Sequence, residues 1–136
     1  MASSDALPGP RRPRPLSPHL SIYRLTMTMA MSIVHRISGA ALYVGVLLLA
    51  WFLIAASTDA SSFSVFSDFI DSFIGRLVLF MFTWALFHHL IGGLRHIFWD
   101  AGYGLDAPLR DQMAWATLIG GFALTVLVWI VGAAVR

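Results

Sequence analysis

Ionisable side chains are scarce in the long apolar stretches of this chain, and those that occur collect in two short segments: SIVHRISG at 32–39 and HHLIGGLRH at 88–96. An ionisable group in a membrane helix costs about 2.5–3.5 kcal/mol on insertion scales and normally faces a bundle interior with a partner. These two segments are therefore where chemistry should be sought. His89 and His96 are seven residues apart, nearly two helical turns, so they share a face with His89 about 10 Å deeper in the membrane. His88 and Arg95 have the same spacing on a face about 100° away. Gly92 and Gly93 follow His89 by one turn and remove side chains where a flat ring would have to approach the backbone.

A neutral imidazole deep in an apolar helix suits axial ligation of a b-type haem, while cationic and donor groups nearer the surface can pair with the propionates. Arg95, His96, His35 and Arg36 all fall at that shallower level. A lone histidine here would be read as a polar residue satisfied between helices, and two glycines as an aid to helix packing; it is the convergence of histidines and arginines that favours a cofactor. Geometry does not choose between His88 and His89. Two adjacent residues cannot ligate opposite sides of one iron, and no other histidine lies at their depth, so the second ligand is expected on another chain. Ser32 and Arg36 are four apart on one face, where a hydroxyl and a guanidinium could donate to the carbonyl of a hydrophobic quinone. Singly, they would read as a helix-start hydroxyl and a snorkelling phosphate contact.

The elements that position these groups follow from the uncharged runs. There are 20 residues without a charge at 37–56, 18 at 77–94 and 24 at 112–135. Each can cross a hydrocarbon core of roughly 30 Å as a helix rising about 1.5 Å per residue. The expected fold is all-α, an integral membrane protein with three transmembrane helices over about 28–56, 74–98 and 112–135. An arm at 1–27, rich in Pro, Ser and Arg, precedes the membrane domain at 28–136. In the first loop, Val65, Phe66, Phe69, Ile70 and Phe73 recur at helical spacing, with Asp68 and Asp71 displaced from them, which predicts a short amphipathic helix at the interface. Arg11, Arg12, Arg14 and Arg24 precede the first span, so the positive-inside rule puts the N-terminus in the cytoplasm or matrix and the C-terminus on the other side. Helix one then enters from the inside and helix two returns to it, bringing both polar segments to one depth although some 55 residues separate them. Trp99, Tyr103, Trp115 and Trp129 are expected as anchors at span ends, and Gly120 and Gly121 as aids to close packing of the third helix.

With no cysteine, this chain supplies no disulfide, no thiolate catalysis, no iron–sulfur ligand and no covalent c-type haem attachment. Lys and Glu are also absent, which leaves Asp and His as the buried proton carriers, and no Asp lies inside an expected span. The net charge of +2 is small; arginines beside a span are a topology signal, and no nucleic-acid partner is expected.

RPLSPHL at 14–20, SIVHRISG at 32–39 and HLIGGLRHIFWDAG at 89–102 closely resemble the cytochrome b membrane-anchor subunit of succinate dehydrogenase, respiratory complex II. The resemblance covers the arm, all three spans and their order. It implies half of a heterodimeric, haem-binding anchor bundle, in which a second three-helix anchor subunit supplies the other haem ligand and a flavoprotein and an iron–sulfur subunit dock on the inner side. The family's axial histidine falls on His89, its quinone-site serine and arginine on Ser32 and Arg36, and its haem-propionate surroundings on His35, Arg95 and His96. Asp100 matches the motif's acid and would order the inner loop or deliver protons. His88 receives no role. The implied cofactor is haem b, with ubiquinone as substrate, in a bacterial or mitochondrial inner membrane. Such a chain does not oxidise succinate itself; it passes electrons from the iron–sulfur subunit to quinone. Competing readings are a menaquinone-linked fumarate reductase anchor, a passive anchor without redox chemistry, and a small transporter, the last disfavoured by a third helix with nothing ionisable to line a path.

Overall fold

The structure is a computed structural model and describes residues 22–135. The arm residues 1–21, including the 14–20 motif, His19 and three of the four arginines ahead of the first span, lie outside the described residues. Four helices follow one another: α1 (Met27–Thr58), α2 (Ala60–Asp71), α3 (Phe73–Asp100) and α4 (Ala107–Ala134), with no strand among the described residues. Helices α1, α3 and α4 are each long and apolar enough to cross a membrane.

Polar caps set the helix boundaries. Thr26 starts α1 by accepting from the Met29 amide, and Ser72 starts α3 by accepting from the Gly75 amide. Asp59 ends α1 and starts α2, its carboxylate accepting from the Ser61 hydroxyl at 2.6 Å and the Ser62 amide at 2.7 Å. Those bonds, the Ser61 hydroxyl first, hold the exposed Asp59 carboxyl below the usual carboxylate range. The expected short helix is present, and it begins at Ala60 because of this cap. Phe66 is its buried anchor, packed edge-on to Trp51 at 5.0 Å between ring centroids, while Phe73 belongs to α3.

At its far end α3 closes with Gly102 in the left-handed region at φ 84°, where the Tyr103 amide bonds to the Phe98 carbonyl and the Gly102 amide to that of Trp99. This double bond pattern satisfies carbonyls that the helix end would leave open. Helix α4 starts at Ala107, five residues ahead of the uncharged run, with Asp106 at the cap position and Pro108 in the first turn. Proline is tolerated there because its missing amide had no helical partner.

Helices α1 and α3 run antiparallel, as do α3 and α4, so the N-terminal ends of α1 and α4 meet the C-terminal end of α3. Thr28 donates to Asp111 at 2.7 Å and ties the first turn of α1 to that of α4. Trp129 donates to Thr83 at 3.4 Å, so it braces α3 against α4 in addition to any anchoring role. The described chain buries few large apolar side chains; Met31 and Phe66 are the largest, beside Ala55, Ala85 and Ala114. Leu, Ile, Val and Phe cover the outer faces of all three long helices. Surfaces of that kind need lipid or another chain against them.

Candidate functional site at the joined ends of α1 and α3

Helix α1 delivers His35, Ser38 and Gly39 to the same level at which α3 delivers His89, Gly92 and His96. The His35 and His89 rings stack with centroids 4.0 Å apart and planes 10° from parallel. Each histidine also reaches the other's backbone: His35 Nε2 lies 3.3 Å from the His89 carbonyl, and His89 Nδ1 lies 3.1 Å from the His35 carbonyl. A carbonyl oxygen can only accept, so both ring atoms must carry protons. This assigns the tautomers by hydrogen-bond logic. His89 therefore holds its proton on Nδ1 and its lone pair on Nε2, which makes no hydrogen bond among the described residues.

Close helix approach makes this pairing possible. A Cβ on Gly92 would fall against the His35 ring, so this glycine makes room for His35. Gly93 is different: a Cβ there would meet nothing within 4 Å. Only Gly93 is thus left with space for a ring-shaped ligand, whereas both glycines were expected to provide it. At about 100° per residue, Gly93 lies about 40° from His89 and turns away from His88.

His88 occupies a different environment. It is 0% exposed, its ring is stacked on Trp84 at 5.2 Å, and its backbone lies against Gly121 of α4, where a Cβ would come within 3.0 Å of the His88 Cα. Neither ring nitrogen has a partner among the described residues. Arg95 follows His88 on that face, is 3% exposed and lies under the Trp99 ring at 4.9 Å, with Nε and Nη1 unpartnered. The sequence grouped Arg95 with His35, His96 and Arg36; the structure puts it about 120° around α3 from His89, beside His88. His96 is exposed and stays with the group, its ring 5.3 Å from that of His35 and 5.3 Å from that of Trp99.

On α1, Arg36 is exposed and donates to Ser32 at 3.2 Å, so this pair forms as its spacing suggests. Antiparallel neighbours turn in matching directions, so the side of α1 carrying Ser32 and Arg36 and the side of α3 carrying Gly93 open onto the same flank, with His89 at the seam. Among the described residues no carboxylate lies within ion-pair distance of Arg36. The flank is therefore cationic and suited to an anionic ligand edge. No three His, Cys, Asp or Glu side chains among the described residues are arranged to hold a metal ion. A metal bound here must bring most of its ligands, as an iron porphyrin does, and His89 Nε2 with the space at Gly93 fits such a group.

Asp100 is exposed at the last position of α3, and Asp111 is the acid held by Thr28. Sequence reasoning missed the roles of Ser38 and Thr28. Ser38 is 2% exposed and donates to the His35 carbonyl at 2.8 Å while lying 3.2 Å from His89 Nδ1. Its position three residues after His35 is the signal that could have found it, since serine hydroxyls commonly bond to the carbonyl of the preceding helical turn.

A family model described as succinate dehydrogenase/fumarate reductase transmembrane subunit matches residues 10–128. The chain is similar to the succinate dehydrogenase cytochrome b556 subunit of Paracoccus denitrificans, with 43% identity over 118 residues, 87% of this chain and 91% of the relative. The b556 subunit of Rickettsia felis is 38% identical over 117 residues, 86% of this chain and 91% of the relative. The mitochondrial cytochrome b560 subunit of Bos taurus is 40% identical over 119 residues, 84% of this chain and 66% of the relative. The chain belongs to the succinate dehydrogenase/fumarate reductase transmembrane subunit family, a multi-pass protein of the inner membrane.

Proposed function

We propose that this chain is the cytochrome b membrane-anchor subunit of a succinate:ubiquinone oxidoreductase, contributing His89 to haem b and Ser32 and Arg36 to ubiquinone. The observation that carries the reading is the state of His89: its Nδ1 donates to the His35 carbonyl, which leaves the Nε2 lone pair without a hydrogen bond among the described residues, on a residue about 40° from Gly93 around α3. The names of the relatives, cytochrome b556 and b560 subunits of succinate dehydrogenase, support it.

Haem b, when bound, supplies a one-electron redox centre beside the route from the iron–sulfur subunit to quinone. His89 would hold it through Nε2. The second ligand comes from a second anchor subunit, because His88 is enclosed, His35 has its Nε2 engaged, and His96 lies about 10 Å nearer the membrane surface. His96, exposed, and His35 would form the propionate surroundings. Arg95, on the far face of α3, adds positive potential there without direct contact. Iron–sulfur and flavoprotein subunits dock at this end of the bundle, which faces the cytoplasm or matrix, with the C-terminus opposite.

At the quinone, Arg36 donates to a carbonyl oxygen and stabilises the negative charge that grows there on reduction, the protons coming from the same aqueous side. Ser32 restrains the guanidinium through the 3.2 Å bond and offers its own hydroxyl. Measuring quinone reduction by the purified complex tests this. Ser32→Ala and Arg36→Leu should slow it while succinate oxidation by a soluble artificial acceptor is unchanged. Unchanged quinone reduction in both variants would remove these residues from the site.

A further inference from the structure

The second half of the SIVHRISG segment, Ser38 and Gly39, is used by none of the chemistry above, yet both residues touch His89. We infer that Ser38 and Gly39 are positioning residues that fix the tautomer and ring plane of His89, and so tune the redox behaviour of the haem it holds. The inference rests on the proposal that His89 is the axial ligand.

Three atoms form a closed triangle: Ser38 Oγ is 2.8 Å from the His35 carbonyl and 3.2 Å from His89 Nδ1, and His89 Nδ1 is 3.1 Å from that same carbonyl. The carbonyl already accepts the helical bond from the amide four residues on; the Ser38 hydroxyl and the His89 Nδ1–H share its remaining accepting side. With its own proton so committed, the Ser38 oxygen presents a lone pair to Nδ1–H, which then has two acceptors. A ligating histidine whose other nitrogen donates to oxygen is held in one tautomer and becomes a stronger donor to the metal. Ser38 is 2% exposed, so water does not compete for this bond. Gly39 limits the ring from the other side: a Cβ there would come within 2.9 Å of His89 Cε1, so glycine is what lets the imidazole approach α1 this closely while it stacks on His35. Helix α1 thus shapes the ligand carried by α3 without contacting iron.

The test is a potentiometric titration of the haem in the purified complex, read as the ferrous-to-ferric ratio at fixed ambient potential, for Ser38→Ala, Ser38→Thr and His89→Ala. Ser38→Ala removes one acceptor from Nδ1–H and makes the imidazole a poorer donor to ferric iron. The ratio should rise about threefold to tenfold, the equilibrium equivalent of one hydrogen bond. Ser38→Thr keeps a hydroxyl on the same carbon and should restore the original ratio. An unchanged ratio in Ser38→Ala, or an equal change or equal haem loss in the Ala and Thr variants, would overturn the inference. His89→Ala separates this failure from that of the underlying proposal: if it retains full haem, His89 is not the ligand, whatever the Ser38 variants do.

Discussion

If His88 carries no ligand, its replacement by leucine should stabilise the protein and leave haem in place. A neutral imidazole presents one donor and one acceptor, and in this structure both nitrogens are buried without partners among the described residues. Each unpaired buried polar group costs about 1–3 kcal/mol. Part of that is recovered by the stacking on Trp84, worth about 0.5–1.5 kcal/mol for an aromatic pair. More is discounted because polar groups in the membrane-embedded unfolded state also find partners. Leucine has nearly the volume of histidine and meets the same Trp84 and Gly121 walls, so overpacking is small. The expected net gain for His88→Leu is about 1–2 kcal/mol. Denaturation of the complex in mild detergent, followed by helical circular dichroism and by haem absorbance, would measure it. Loss of haem, or a stability lower than the parent's, would refute the argument, because either would mean that the His88 nitrogens have partners that matter.

Two further outcomes follow from the same packing. Gly121→Val would drive a branched side chain against the His88 backbone, where even a Cβ is at 3.0 Å, and should cost about 1–3 kcal/mol by separating α3 from α4; the parent's denaturation midpoint in this variant would contradict the close contact. Asp59 has a carboxyl held below its ordinary value of 3.8 in the folded state. Its support of α2 is therefore fully present above that value and is lost as pH falls through the lower folded value. Hydrogen exchange at the Ser62 and Phe63 amides should quicken relative to the rest of α2 only in that acid range, and Asp59→Asn, which keeps an acceptor without the charge, should abolish the extra pH dependence.

Much of the architecture could be read from the chain because a membrane simplifies the problem. Runs of 18 to 24 uncharged residues must span, and the alternation of spans brings residues 32–39 and 88–96 to one end of the bundle. Helix α4 begins before its uncharged run because charge marks where lipid ends, not where hydrogen bonding stops: Arg110 and Asp111 sit inside the helix, in its first turns. The division of labour in the site was less legible. Spacing gives the angle between His88 and His89 on one helix, but not which neighbour each angle faces. That azimuth comes from tertiary packing, which turned His88 and Arg95 toward α4 and His89 toward α1. For the same reason Gly92 and Gly93 looked equivalent, although one receives the His35 ring and the other faces open space. The Thr28–Asp111 bond joins residues 83 apart and has no local signature.

We assign the haem to His89 and not to its neighbour. The most direct measurement is the reduced-minus-oxidised absorption spectrum of the purified complex bearing His89→Ala, compared with the parent and with His88→Leu. The b-type Soret and alpha bands should be lost or strongly reduced in His89→Ala and intact in His88→Leu. Full bands in His89→Ala, or their loss in His88→Leu alone, would contradict it.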